Sequence, residues 1–398
     1  MKRILTILLA IAAILLLLWA ALKAGGRTSD NPVLSVEGGK IQGVKEEGFL
    51  VYKGIPFAAP PTGEQRGKVL QEVIPWKGVL KADRFAPAAV QTPVSKDDPL
   101  YYKEFYAEGY PEFSEDCMYL NVWAPSGTVG KPGSKAPVAV WIHGGAFAHG
   151  YSYEKEMDGA EWARRGVILV TIPYRVGDLG FGTDGMLGFE DQVTALRWVR
   201  DNISTFGGDP DNVTVFGQSA GAISVKYLFT LPQARSLFAK AIIQSGGGVN
   251  VMSNPPFLPE GTRGENMAQA MEEGCFDGKP ILIGWTAQDP AFLGKESSLE
   301  FSDLRADRDP DTPLYVYDFA RNLPGEAEGE PDFGAFHTAE LWYMFGTLDR
   351  AWRPFTEADH ELSQRMLDAW TGFARSSDPG WETYTKEHPF VQVFDTGE

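Results

Sequence analysis

Short apolar runs bounded by glycine, proline or aspartate recur along the chain: "LNVWAP" from residue 120, "PVAVWIHG" from 137, "GVILVTIP" from 166, "VTVFG" from 213, "AKAIIQSG" from 239, "PILIGW" from 280 and "PLYVYDF" from 313. Each reads as a strand. Several are apolar throughout instead of alternating, the pattern of strands covered on both faces. Between them lie stretches with helical spacing: "AEWARRG" from Ala160, "FEDQVTALRWVRDNI" with Val193, Leu196, Trp198 and Val199 on one side, and "AGAISVKYLF" after Ser219. Strand and helix alternate, so the pattern predicts an α/β fold with a mostly parallel central sheet and helices on both faces. Reactive groups in such sheets gather at the carboxyl ends of the strands.

The first 25 residues have a different pattern. Lys2 and Arg3 precede an uncharged stretch from Ile4 to Leu22, and the sequence around Ala24 is a poor cleavage site. That stretch is about as long as the roughly 18 residues that span a bilayer, so it reads as a signal or an uncleaved membrane anchor that puts the body on the outer side. No internal repeat divides the rest of the chain, and residues 26–398 read as one domain.

Composition narrows the partners. The chain has 398 residues, 43% of them hydrophobic, enough for a large core, and a formal charge of -17. That charge opposes nucleic acid and anionic lipid, leaving a small molecule as the expected partner and the N-terminal segment as the expected membrane contact. Cys117 and Cys275 allow at most one disulfide and read as free thiols. With neither CxxC nor HExxH present and five scattered histidines, no metal or other cofactor is implied.

Candidate chemistry begins at "VTVFGQSAGAISV", residues 213–225, where Ser219 stands between a strand and a helix in a G-x-S-x-G pattern. Glycines at 217 and 221 leave room for a strained turn that aims the hydroxyl outward over the helix's positive end. A second strand ends in the glycine pair of "VWIHGGAF". Backbone N–H groups of Gly144, Gly145 and Ala220 can face a tetrahedral oxyanion there. A serine nucleophile also needs an imidazole and a carboxylate. His143 reads as a loop-shaping residue, His360 and His388 as surface residues, and His149 as a pocket-lining one. His337, between Gly334 and aromatic neighbours, leads only modestly on this reading.

Together these fragments resemble the type B carboxylesterase family of α/β-hydrolases. The similarity runs in order through "YKGIPFAAPPTGEQR", "SEDCMYLNVWAP", "WIHGGAF", "PYRVG", "ALRWVRDNISTFGGDPDNVTVFGQSAG" and "FGAFHTAEL". The resemblance implies Ser219 as nucleophile, His337 as base and Gly144, Gly145 and Ala220 as oxyanion donors. It implies Asp289, in "PILIGWTAQDPAF", as the acid, although Asp stands where the family usually has Glu. Pro290 replaces a glycine and restricts how Asp289 can aim. The family's early disulfide is implied to be missing, because Ala89 occupies the partner position of Cys117. The intervals from Ser219 to Asp289 and from Asp289 to His337 are short for the family, which predicts a more open cleft. The expected activity is hydrolysis of uncharged carboxylic esters through an acyl-enzyme. The alternatives are a membrane-tethered binding protein without turnover, or an amidase or lactonase on the same triad.

Overall fold

The structure, a computed structural model, describes residues 31–182, 186–249, 267–325 and 333–397. The expected N-terminal anchor therefore lies outside the described residues. Among those described, no helix is long and apolar enough to cross a membrane.

Ten strands form the central sheet: β1 (Val44–Lys45), β2 (Phe49–Pro56), β3 (Tyr119–Pro125), β4 (Ala136–Ile142), β5 (Ile168–Ile172), β6 (Gly208–Gln218), β7 (Lys240–Gln244), β8 (Ile281–Thr286), β9 (Leu314–Phe319) and β10 (Gln392–Phe394). Their spatial order is β10-β9-β8-β7-β6-β4-β5-β3-β2-β1. Pairing is parallel from β10 through β5 and antiparallel from β5 through β1. All seven sequence-predicted strands are present. The two short edge strands β1 and β10 had no comparable apolar signal, and β2, whose Phe49–Tyr52 run is apolar and buried, was not among the predicted strands.

Side chains alternate across the sheet even where the sequence does not alternate in polarity, because both faces are covered. On β4, Val138, Val140 and Ile142 enter one apolar core, whereas Ala139 and Trp141 enter the other. The first core is closed by α2 (Leu187–Asn202) and α3 (Ala220–Thr230), through Val193, Leu196 and Ile223. The second is closed by α1 (Ala160–Arg164) and α4 (Glu357–Ser376), through Trp162, Leu362, Met366 and Trp370. Full burial of such side chains contributes about 1.5–3 kcal/mol each.

After β5 the chain crosses β4 to build β6, so the direction in which strands are added reverses at the β4–β6 pair. Loops leaving neighbouring carboxyl ends at that point diverge and open a crevice. Trp141 pairs with Phe216 and Ile142 with Gly217. This register carries the glycine loop after β4 and the serine turn after β6 to the same height.

Candidate active site

Ser219 occupies the single position between β6 and α3, with φ 57° and ψ −122°. That backbone is strained for a residue with a Cβ. It persists because the turn is held on both sides: Ser219 N donates to Gln244 O at 2.9 Å, and Ile223 N donates to Ser219 O at 2.9 Å. The flanking glycines are required by contact. A Cβ on Gly221 would stand 2.0 Å from Ile142 O, and one on Gly217 would stand 2.6 Å from the Gly221 carbonyl carbon.

The loop after β4 is strained too, with φ 100° at Gly145, 53° at Ala146 and 61° at Phe147. A Cβ on Gly144 would come 3.3 Å from that of Ser219, which places the two residues side by side. The N–H groups of Gly144 and Gly145 have no acceptor among the described residues, and both glycines line the cavity that Ser219 enters. Ala220 opens α3, so its N–H is one of the helix's unpaired first donors. Beneath the loop, His143 is buried. It stacks on Tyr174 at 4.2 Å between ring centroids, and burial pushes its pKa down to about 4. It is a neutral supporting residue.

Asp289 follows β8 and His337 follows β9. An isolated parallel bridge joins Gln288 to Phe336, the residues immediately before them. That bridge sets the two side chains next to each other. His337 Nδ1 donates to Asp289 Oδ1 at 2.5 Å. Asp289 Oδ2 accepts from Thr286 N at 3.0 Å, which holds the carboxylate toward the ring although Pro290 follows. Burial would raise the Asp289 carboxyl, but the imidazole's charge and hydrogen bond outweigh it and hold the group below the usual carboxylate value. Burial would likewise lower His337, and the Asp289 carboxylate outweighs it, raising the ring above its ordinary value of 6.5.

With Nδ1–H committed to Asp289, Nε2 carries the lone pair. No hydrogen bond joins it to Ser219 in this structure; the Gln218 amide Nε2 lies 3.2 Å from it. Ser219 and His337, both half-buried, share one cavity of about 930 Å³. Residues 250–266, inside the shortened interval, are outside the described residues. The remaining histidines stand apart from this pair: His360 is 3.7 Å from Asp349, His388 is 2.9 Å from Glu382, and His149 lines the cavity without an ion pair. Cys117, buried, and Cys275, half-buried, are not joined in a disulfide.

Sequence reading passed over two groups in this region. Gln218 stood in plain view beside Ser219, but its side-chain direction depends on the partner it meets. Glu340, three residues after His337, is fully buried; burial first and Asp289 second push it up to about 7, and it accepts from Gln244 Nε2 at 3.2 Å.

A doubly wound sheet with a serine turn, a glycine loop and an Asp–His pair at its carboxyl ends defines the α/β-hydrolase class. Within it, residues 30–288 and 292–396 match the model of the carboxylesterase family. The para-nitrobenzyl esterase of Bacillus subtilis (strain 168) is 30% identical, over 92% of this chain and 95% of that protein. The phenmedipham hydrolase of Pseudarthrobacter oxydans is 38% identical, over 91% and 95%. Solved structures of PNB esterase and of a Geobacillus stearothermophilus carboxylesterase superpose with TM-scores of 0.78 and 0.73, each at 28% identity over 92% of this chain and 96% of theirs. The chain belongs to the carboxylesterase family and is a carboxylic ester hydrolase. The first alignment extends over 478 positions against a chain of 398, so that relative carries interior segments absent here.

Proposed function

We propose that this enzyme hydrolyses uncharged small-molecule carboxylic esters through an acyl-enzyme on Ser219. The Ser219 oxygen attacks the carbonyl carbon as Nε2 of His337 takes its proton. Asp289 holds the ring with Nδ1–H inward and stabilises the imidazolium as it forms. Charge developing on the carbonyl oxygen is received by the N–H groups of Gly144, Gly145 and Ala220, already oriented before reaction. Collapse of the tetrahedral intermediate expels the alcohol, which takes the proton from His337. Water, deprotonated by the same nitrogen, then releases the acid. Rotation of the Gln218 side chain hands Nε2 over to Ser219 when substrate enters.

The observation that carries this reading is the 2.5 Å Asp289–His337 pair opening onto the same cavity as a strained Ser219. The N-terminal 25 residues are proposed to export the enzyme and to hold it at the outer membrane face.

The test is Ser219→Ala in the purified protein. Hydrolysis of a short-chain chromogenic ester should fall by about 10⁴ to 10⁶, with labelling by a fluorophosphonate lost and thermal unfolding unchanged. Undiminished turnover by the variant ends the proposal. An amide and a lactone run beside the ester decide between ester, amide and lactone cleavage.

A further inference from the structure

Ten residues beyond Gly144, the chain brings two more carboxyl groups to the wall of the catalytic cavity. Glu154 and Glu156 both line it, and both are buried, at 6% and 2% exposed. Glu154 Oε1 accepts from the Tyr106 hydroxyl at 2.5 Å. Glu156 Oε2 has no hydrogen-bond partner among the described residues. A buried carboxylate oxygen left unpaired costs more than the single hydrogen bond it lacks, because water has been removed and nothing replaces it.

The cations nearby are already committed. Lys155 pairs with Glu108, and Arg353 pairs with Glu104 at 2.9 Å. Of the described side chains lining the cavity, Arg66 alone carries a fixed positive charge, and it pairs with Glu115 at 2.8 Å; Asp98 and Asp178 add further acid at the wall. Burial pushes both glutamates above the usual carboxylate range, and the charge of Glu154 pushes Glu156 further than the charge of Lys155 brings it back. Phe105, Tyr106 and Met157 beside them offer apolar and aromatic surface for an alkyl chain ending in a cation.

Resting on the proposed hydrolysis at Ser219, we propose that Glu156, with Glu154 held by Tyr106, forms a specificity subsite for esters bearing a primary or secondary ammonium group on one arm. The N–H donors of that group supply Glu156 Oε2 with its missing partner, and its charge compensates the buried pair. A methyl group in the same place leaves the pair as it was. The enzyme thus accepts neutral esters and prefers aminoalkyl ones.

The experiment compares esters matched in size that end in either –NH₃⁺ or –CH₃, placed on the acyl arm in one series and on the alkoxy arm in the other. In one series, kcat/KM for the ammonium member should exceed its isostere by about ten-fold or more. Glu156→Gln, which keeps the shape and removes the charge, should bring that ratio near one, whichever way the absolute rates move. Binding of n-butylammonium against n-butanol by calorimetry, on the native enzyme, on Glu156→Gln and on Tyr106→Phe, reads the subsite without turnover. Equal affinity for the cation and the alcohol, or a preference unchanged in Glu156→Gln, overturns the inference. Absence of any ester turnover with the ammonium preference intact sinks the hydrolytic reading alone.

Discussion

His337 Nδ1 donates to Asp289 Oδ1 at 2.5 Å, across an interval of 48 positions in the chain. The bond fixes the tautomer, leaves Nε2 basic and raises the ring's proton affinity. An imidazolium cannot take a proton from serine, so turnover should fall as the pH drops through a value above 6.5.

Asp289→Asn removes the charge that raises His337 and permits the wrong tautomer. We expect kcat to fall by about 10³ to 10⁴, with the acid limb of kcat/KM moving to lower pH. A pH–rate profile of native and variant enzymes measures both. A profile that keeps its position while the rate falls would mean that Asp289 acts through geometry alone.

Gln218 contacts Nε2 with a neutral amide, 3.2 Å away. In Gln218→Glu a carboxylate stands against the same nitrogen, stabilises the imidazolium and shifts the acid limb to higher pH. At about pH 6, kcat/KM should drop roughly ten-fold, recovering at higher pH. Titration of the ring by NMR in the two proteins gives the same comparison without substrate.

Gly221 has no space for a side chain, since its Cβ would meet Ile142 O at 2.0 Å. Gly221→Ala should lose about 3 kcal/mol of stability or fail to fold. Gly127, with nothing within 4 Å of a built Cβ, is the control. Gly127→Ala should change stability by no more than about 0.5 kcal/mol.

Arg175 and Asp191 form a bidentate pair in the core, with Nε to Oδ2 at 2.8 Å and Nη2 to Oδ1 at 2.6 Å. It ties the segment after β5 to α2. Arg175→Met strands a buried carboxylate and should cost about 3–5 kcal/mol by urea denaturation, whereas Arg175→Met with Asp191→Leu should cost less, because no charge is then left unpaired.

The seven strands were legible because each is a contiguous apolar run bounded by residues that end strands. Edge strand β10 was not, because three residues at a sheet margin owe their conformation to the neighbour they pair with. Asp289 illustrates an intermediate case. The resemblance of its flanking motif pointed to it, and Pro290 argued against its reach, yet the Thr286 N–H and the Gln288–Phe336 bridge turn it toward His337.

By itself the sequence determined the α/β alternation, the serine turn and the glycine loop, since steric limits on a few consecutive residues specify them. Only the tertiary structure decided which histidine meets which carboxylate, what Gln218 touches, and that Glu154 and Glu156 face the cavity. Those outcomes depend on loops from distant positions converging at the carboxyl ends of the strands, where partial burial strengthens hydrogen bonding and charge between groups that the linear order keeps apart.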